Sequence, residues 1–328
     1  VSDREAISVI IPFYNRANYL PDAVRSVFFQ TRGDIQLILV DDGSTDGSSE
    51  AAVAAWNRAL EDRRTDGGPA GLREMRIVNL PHSGMPGLVR NRGVDAADGR
   101  LIAFLDSDDI WLPRKLELQL PLHAPRRGDN SVGAPGDGEI PLLSHTRERW
   151  LRAEDGKGAP LPPMKEISQS GQRHARSGDL FADSLWKCII GPSTVLMDRE
   201  LYLDLGGFRE DLQVAEDYEF WIRVTAGHHA GYIDEPCIEK RAGLPGQEQL
   251  SERFGQIEGF RLQALWGLLG ERRFDGFSPD QQALAWQVLQ RKAEIFLTGA
   301  RKHANASGER FARMILDACD RLAEGDRG

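Results

Sequence analysis

Three carboxylates stand within four residues at Asp106-Ser107-Asp108-Asp109, directly behind the apolar run Leu101-Ile102-Ala103-Phe104-Leu105. A run of that length reads as a buried strand, so the carboxylates emerge together at its C-terminal end, the side of a parallel sheet where ligands gather. Three such charges repel one another. A hard divalent cation shared with phosphate oxygens is the usual compensation, which makes Asp106, Asp108 and Asp109 candidate ligands of Mg2+ or Mn2+. Taken alone, the same residues also read as a solvated acidic turn before Pro113. A second acidic pair, Glu216-Asp217, opens the segment Val214 to Val224. Phe220, Trp221 and Val224 share one helical face there and can anchor the helix in a core, leaving Glu216 and Asp217 in its first turn. First-turn carboxylates also simply complement a helix dipole.

Other elements must hold these groups in place. Ile7 to Asn15 and Ile35 to Val40 are further apolar strands, the second ending in Asp41-Asp42-Gly43-Ser44-Thr45-Asp46, and Met75 to Leu80 is another. Helical segments follow them at Tyr19 to Gln30, Asp46 to Leu60 and Leu88 to Ala97. Strand and helix alternating over about a hundred residues imply a mostly parallel sheet flanked by helices, an α/β fold. Polar groups then collect along one sheet edge: Asn15, Asp41, Asp42, Arg90, Asn91 and the carboxylates after Phe104.

The PFYN turn, VDDGSTDGS, VRNRG, FLDSDDIWLP and VAEDYEFW occur in this order. Together they resemble family 2 glycosyltransferases of the GT-A fold, over residues 6 to 120 most fully and 185 to 240 in part. The resemblance implies a Rossmann-like nucleotide-diphospho-sugar transferase domain at 1–245, with a donor half at about 1–120 and an acceptor half at about 121–245. A helical extension follows at 246–328. It also implies metal-dependent, inverting transfer of a sugar from a nucleoside-diphosphate-sugar to a hydroxyl acceptor in bacterial-type surface glycan assembly. In that scheme the DxD residues Asp106 and Asp108, with help from Asp109, hold Mn2+ or Mg2+ as a Lewis acid. The ED pair supplies the general base, Asp217 ahead of Glu216. Pro12 and Tyr14 form a wall beside the base, while Asn15, Ser107, His82 and Arg90 are further donor contacts. Asp41 and Asp42 accept hydrogen bonds from a base or ribose, or else make an Asx-turn with Gly43. A late histidine completes the metal shell in some relatives, and His228 and His229 follow the ED helix at no clearly matching spacing.

A net charge of -9 and a pI near 5.4 argue against a nucleic-acid partner. They allow a nucleoside diphosphate, because a bound cation inverts the local field. Cys188, Cys237 and Cys319 are odd in number and lack CxxC spacing, which fits a reducing cytoplasm. Apolar runs fall short of a membrane span and no secretion signal is read. The expectation is a cytoplasmic protein with room for peripheral contact at the inner face of the membrane. A lipid-linked glycan, a surface polysaccharide and a protein are all compatible acceptors, and uridine, guanosine and thymidine are all compatible donor bases.

Glu61 to Glu74 reads as a charged loop, Ala124 to Gly138 as a connector, and Glu139 to Gly178 as an apolar-poor region that shapes the acceptor side. Ile189 to Met197 reads as a turn entering a strand, followed by a short helix from Arg199. Apolar stripes near Phe260 to Leu269, Leu284 to Phe296 and Phe311 to Leu322 predict three helices whose stripes serve a core or a homodimer.

Two rivals from other classes compete. A haloacid-dehalogenase-type phosphatase would use Asp106 as nucleophile, but needs the motif on the first strand. A catalytically silent nucleotide-sugar-binding or partner-binding module would keep the donor site without turnover. No GxGxxG follows the first strand and no GxxxxGK occurs, so dinucleotide and P-loop readings fail.

Overall fold

The computed structural model describes residues 6–32, 34–66, 73–124, 140–153, 164–167, 176–242 and 257–325. Strands β1 (Ala6–Phe13), β2 (Asp34–Asp41) and β3 (Arg73–Asn79) alternate with helices α1 (Leu20–Phe28), α2 (Ser48–Asp66) and α3 (Pro86–Asp95), and α3 leads to β4 (Leu101–Phe104). These strands lie parallel in the order β3-β2-β1-β4. β4 is wholly apolar and β1 nearly so, with the buried Ser8 donating to Gln36 Oε1 at 2.6 Å, because helices cover both sheet faces. The sheet then turns mixed. β8 (Leu196–Asp198) pairs antiparallel with β4, β6 (Leu143–Ala153) antiparallel with β8, and β9 (Ala230–Ala242) parallel with β6. The short β5 (Ile110–Trp111) closes the far side antiparallel to β9, and β7 (Met164–Ile167) pairs with the end of β6.

α1 and α2 cover one face of the sheet; α3, α6 (Arg199–Asp204) and α7 (Glu216–Gly227) cover the other, with α4 (Lys115–Gln119) following β5. Gly93 lets α3 lie directly on the sheet, since a Cβ there would come within 2.4 Å of Ile10 Cγ2 and 3.0 Å of Val40 Cγ2. That close approach brings Arg90, one turn earlier, to the strand ends. A third core joins α5 (Phe181–Trp186) and α7 to α8 (Ile257–Leu269), α9 (Pro279–Lys302) and α10 (Ala306–Gly325). The C-terminal stripes thus serve an intramolecular core: Leu262, Leu265, Leu289 and Ile315 are fully buried in it. Ser278 and Gln281 form a capping box with Pro279 at the first helical position of α9.

Two expectations change. Glu61 to Glu74 is not all loop: α2 runs to Asp66, where Asp62 pairs with Arg25 of α1 at 3.2 Å, and β3 starts at Arg73, whose buried guanidinium donates to the Phe28 and Gln30 carbonyls. The apolar-poor region contains β6, whose sequence LSHTRERWLRA lacks a hydrophobic alternation and is held by its long pairing with β9. Most of the connector, residues 125–138, lies outside the described residues, as do Pro160, Pro162 and Pro163.

Candidate active site

The strand ends and loops enclose a cleft of about 1420 Å³ that carries Tyr14 and His82, the DSDD loop, and Glu216 with Asp217. Each group reaches it for a local reason. After β4 the chain turns so that Asp106 N–H donates to Ser193 Oγ at 3.0 Å, while Ser193 Oγ donates to Asp109 Oδ2 at 2.7 Å. Trp111 Nε1 donates to the Ser193 carbonyl at 2.9 Å, so the turn before β8 fastens the whole carboxylate loop. Glu216 and Asp217 begin α7 behind Ala215, whose left-handed φ of 68° is strained for a residue with a Cβ.

Arg90 links the two acidic groups. Its Nη1 donates to Glu216 Oε1 at 2.6 Å and its Nη2 to Asp106 Oδ1 at 2.8 Å. Burial, with help from the adjacent Asp217 charge, pushes the Glu216 carboxyl up to about 7 against the pull of Arg90. Asp217 is half-buried. Its Oδ1 accepts from Tyr218 N at 2.7 Å and its Oδ2 from the Cys188 thiol at 3.3 Å. Burial and the Asp217 charge raise the Cys188 thiol well above its ordinary range, so the sulfur stays protonated and acts as donor.

The three DSDD carboxylates do not share one role. Asp106 is committed to Arg90, and Lys240 Nζ lies 3.9 Å from its Oδ2. Asp109 is buried on Ser193, with its carboxyl pushed well up by burial against the pull of Lys240. Asp108 accepts no side-chain hydrogen bond among the described residues, and burial followed by the Asp106 charge raises its carboxyl. No group of three His, Cys, Asp or Glu side chains converges as a cation site among the described residues. Of the three expected cation ligands, Asp108 is the one whose side chain is not engaged by another side chain among the described residues. One available carboxylate that gains from added positive charge fits a divalent cation completed by substrate oxygens. His228 and His229 are not among the cleft's lining residues.

The donor-side residues divide similarly. Pro12, Tyr14, Asp42, His82, Arg90, Asp106 and Ser107 line the cleft, whereas Asn15 and Asp41 do not. Asp41 Oδ1 accepts from Ser44 N at 2.7 Å and Oδ2 from Ser49 Oγ at 2.8 Å, while Asn15 Oδ1 accepts from Thr45 N at 2.9 Å. Both fasten the β2–α2 loop. Asp42 accepts from Ser83 N and Oγ and from Gly84 N at 2.8 to 2.9 Å, holding the loop that presents His82. Gly43 has φ 79°, and a Cβ there would sit 2.8 Å from His82 N, so only glycine permits this approach. The Tyr14 ring stacks on His82 with centroids 3.9 Å apart and planes at 20°.

The sequence profile of glycosyl transferase family 2 matches residues 8–149. TuaG of Bacillus subtilis, a putative teichuronic acid biosynthesis glycosyltransferase, is 31% identical over 233 residues, covering 71% of this chain and 77% of TuaG. The chain belongs to glycosyltransferase family 2. WfgD of Escherichia coli, a UDP-Glc:alpha-D-GlcNAc-diphosphoundecaprenol beta-1,3-glucosyltransferase, is 26% identical over 92% of this chain and 96% of WfgD. An uncharacterized glycosyltransferase of Rickettsia conorii is 31% identical over 72% of the chain, which spans about a third (32%) of that relative's length.

The GT-A fold of this family 2 member is matched by S. aureus TarS 1-349 in complex with UDP-GlcNAc, at a TM-score of 0.55, 17% identity and coverage of 96% and 92%. It is also matched by the mannosyltransferase PcManGT from Pyrobaculum calidifontis, in complex with GDP-Man and Mn2+, at 0.53, 17%, 100% and 89%. The phosphatase rival fails on topology, because the family 2 DSDD loop follows β4 in the middle of the sheet.

Sequence reasoning passed over the site roles of Lys240, Ser193 and Cys188. Ser193 stood inside the turn read before β8 without any mark of its role. Lys240 looked like one charge in a charged stretch, and only the pairing of β9 with β5 brings it beside the carboxylates.

Proposed function

We propose that this family 2 chain transfers a sugar from a nucleoside-diphosphate-sugar to a hydroxyl acceptor, with metal dependence and inversion at the anomeric carbon. The observation that carries this reading is one cleft holding both an unclaimed carboxylate, Asp108, and a half-exposed carboxylate at a helix start, Asp217. The donor's nucleobase extends the stack of Tyr14 on His82 beside Pro12, in a loop held by Asp42. Asp108 would hold Mn2+ or Mg2+, and the cation would supply Lewis-acid neutralisation of the diphosphate.

Asp217 takes the acceptor proton. As it does, the acceptor oxygen bonds to the anomeric carbon on the face opposite the diphosphate, the carbon–oxygen bond to the diphosphate breaks, and the configuration inverts. Glu216, tied to Arg90, sets the angle of the α7 start and does not itself receive the proton. The bound donors of TarS and PcManGT, and the Mn2+ of the latter, support the donor class and the metal. WfgD, which acts on a GlcNAc-diphosphoundecaprenol, and TuaG support a lipid-linked saccharide acceptor in surface glycan assembly.

Residues 1–245 form the catalytic unit in this reading and 246–328 its helical extension. The enzyme works at the cytoplasmic face of a membrane. Free cysteines agree with that location, and no described helix is long and apolar enough to cross a bilayer.

Calorimetric titration with UDP, GDP and dTDP and their sugars, with Mn2+ and after chelation, tests the reading. One nucleotide should bind, and chelation should weaken it by about tenfold or more, the scale of one charge-assisted contact. If none binds under either condition, the reading fails.

A further inference from the structure

We propose that Lys240 is a catalytic residue that donates hydrogen bonds to the sugar-linked phosphate of the donor and stabilises the departing diphosphate. The proposal rests on the reading of the cleft as a nucleoside-diphosphate-sugar site.

The placement comes from topology. β9 pairs with β5 through Ile238 opposite Trp111 and Glu239 opposite Ile110, so the next residue, Lys240, arrives beside the loop between β4 and β5. Its ammonium lies 3.9 Å from Asp106 Oδ2 and 3.9 Å from Asp109 Oδ2, with the Trp150 ring centroid 5.7 Å away. Those separations give charge attraction, but they exceed hydrogen-bond length. Arg90 differs in kind, since its two terminal nitrogens are already spent on Glu216 and Asp106 at 2.6 and 2.8 Å. Among the described residues, no acceptor lies within hydrogen-bond distance of Lys240 Nζ. A largely buried ammonium lining the cleft thus keeps its three N–H donors for something that enters it.

The charges near Lys240 bear on what enters. Asp106, Asp108, Asp109 and Glu148 act on its ammonium, while basic side chains, Arg16 and Arg147 among them, line the same cleft in number equal to the acidic ones. A diphosphate brings negative charge that needs cations at its own position beside these carboxylates, and the charge on its sugar-linked oxygen grows during transfer. Prepositioned donors in a poorly solvated cleft act most strongly where charge develops. A lysine ammonium carries its charge throughout the neutral region. In the step itself, the acceptor oxygen–carbon bond forms and the carbon–oxygen bond to the diphosphate breaks. Its electron pair goes to the oxygen that Lys240 contacts, and the acceptor proton goes to Asp217.

The test compares UDP with UMP, GDP with GMP and dTDP with dTMP in Mn2+ by calorimetry, using wild type, Lys240→Met and the double variant Asp109→Asn/Lys240→Met. The monophosphate lacks the phosphate that Lys240 contacts. Lys240→Met should weaken the diphosphate by about tenfold or more, as expected for a charge-assisted hydrogen bond, and leave the monophosphate within about twofold. The double variant should keep that loss. It relieves the carboxylate left without its cation, so it gives the reading even where the single variant folds poorly. If diphosphate and monophosphate weaken alike, or the double variant restores diphosphate binding, Lys240 only neutralises Asp109 and the proposal is overturned. Unchanged diphosphate binding in Lys240→Met overturns it as well, while the wild-type titration still stands for the donor site. Absence of any nucleotide binding by wild type removes the donor-site reading itself, and this proposal with it.

Discussion

Arg90 and Glu216 form a buried ion pair, Nη1 to Oε1 at 2.6 Å, between residues 126 positions apart in sequence. Through it α3, seated on the parallel half of the sheet, fixes the start of α7, and the same guanidinium fixes the carboxylate loop through Asp106. The metal-side and base-side carboxylates are thereby set relative to each other by one side chain.

Arg90→Met leaves Glu216 and Asp106 buried without their shared cation. Breaking a buried pair on one side costs about 3–5 kcal/mol. Urea unfolding should show a loss of that order, and transfer should fall even at temperatures where the variant is folded. Wild-type stability in Arg90→Met would show that the pair does not hold the site together.

Asp41 and Asp42 should separate by experiment. Asp41→Ala removes the acceptor for the half-buried Ser44 N and Ser49 Oγ, and each lost hydrogen bond costs about 0.5–1.5 kcal/mol. Its stability should drop while nucleotide affinity of the folded protein holds. Asp42→Ala releases Ser83, Gly84 and the His82 ring, so both stability and nucleotide affinity should fall. Equal nucleotide affinities in the two variants would contradict this division.

This pair also shows what the sequence could reveal. Both carboxylates follow an apolar strand and look alike on paper; their opposite commitments arise from which loop each meets, β2–α2 or β3–α3. β1, β2 and β4 were legible because strands covered on both faces are mostly apolar, with Ser8 the buried polar interruption of β1 and Gln36 that of β2 before its terminal Asp41. The ED helix was legible because Phe220, Trp221 and Val224 mark its buried side. β6 and β9 were not, since Ser144, His145 and Thr146 are buried polar residues and the later part of β6 is charged. Their pairing with each other, at long range, carries the information that local periodicity lacks. Lys240 and Ser193 entered the site through those pairings, so no local signal announced them.

Lys115 gives a pH test away from the cleft. It is fully buried, with Nζ donating to Gln119 Oε1 at 2.6 Å and to the Val195 carbonyl at 3.2 Å. Burial lowers its pKa from 10.5 to about 7. Between those values the unfolded chain holds a proton that the folded chain has released, so stability rises with pH across the window. The slope for one proton is at most about 1.4 kcal/mol per pH unit. Lys115→Met should flatten that rise in urea unfolding measured at several pH values. A variant with the same slope as wild type would show that another group is responsible.

Asp108→Asn should lose the enhancement of nucleotide binding by Mn2+, about tenfold or more, and lose the broadening of Mn2+ resonance signals on addition of protein and nucleotide. Asp109→Asn should keep both, because Asp109 is committed to Ser193. The reverse outcome would move the cation to Asp109.

The most direct test of the account is nucleoside diphosphate release from the bound donor by Asp217→Asn, measured beside donor affinity with the identified nucleotide-sugar, Mn2+ and acceptor. General-base removal should slow turnover by about 10² to 10⁴-fold and leave donor affinity within about twofold. Glu216→Gln, whose amide oxygen can still accept from Arg90, should retain much of its turnover. Wild-type turnover in Asp217→Asn, or loss confined to Glu216→Gln, would contradict the assignment of Asp217 as the base.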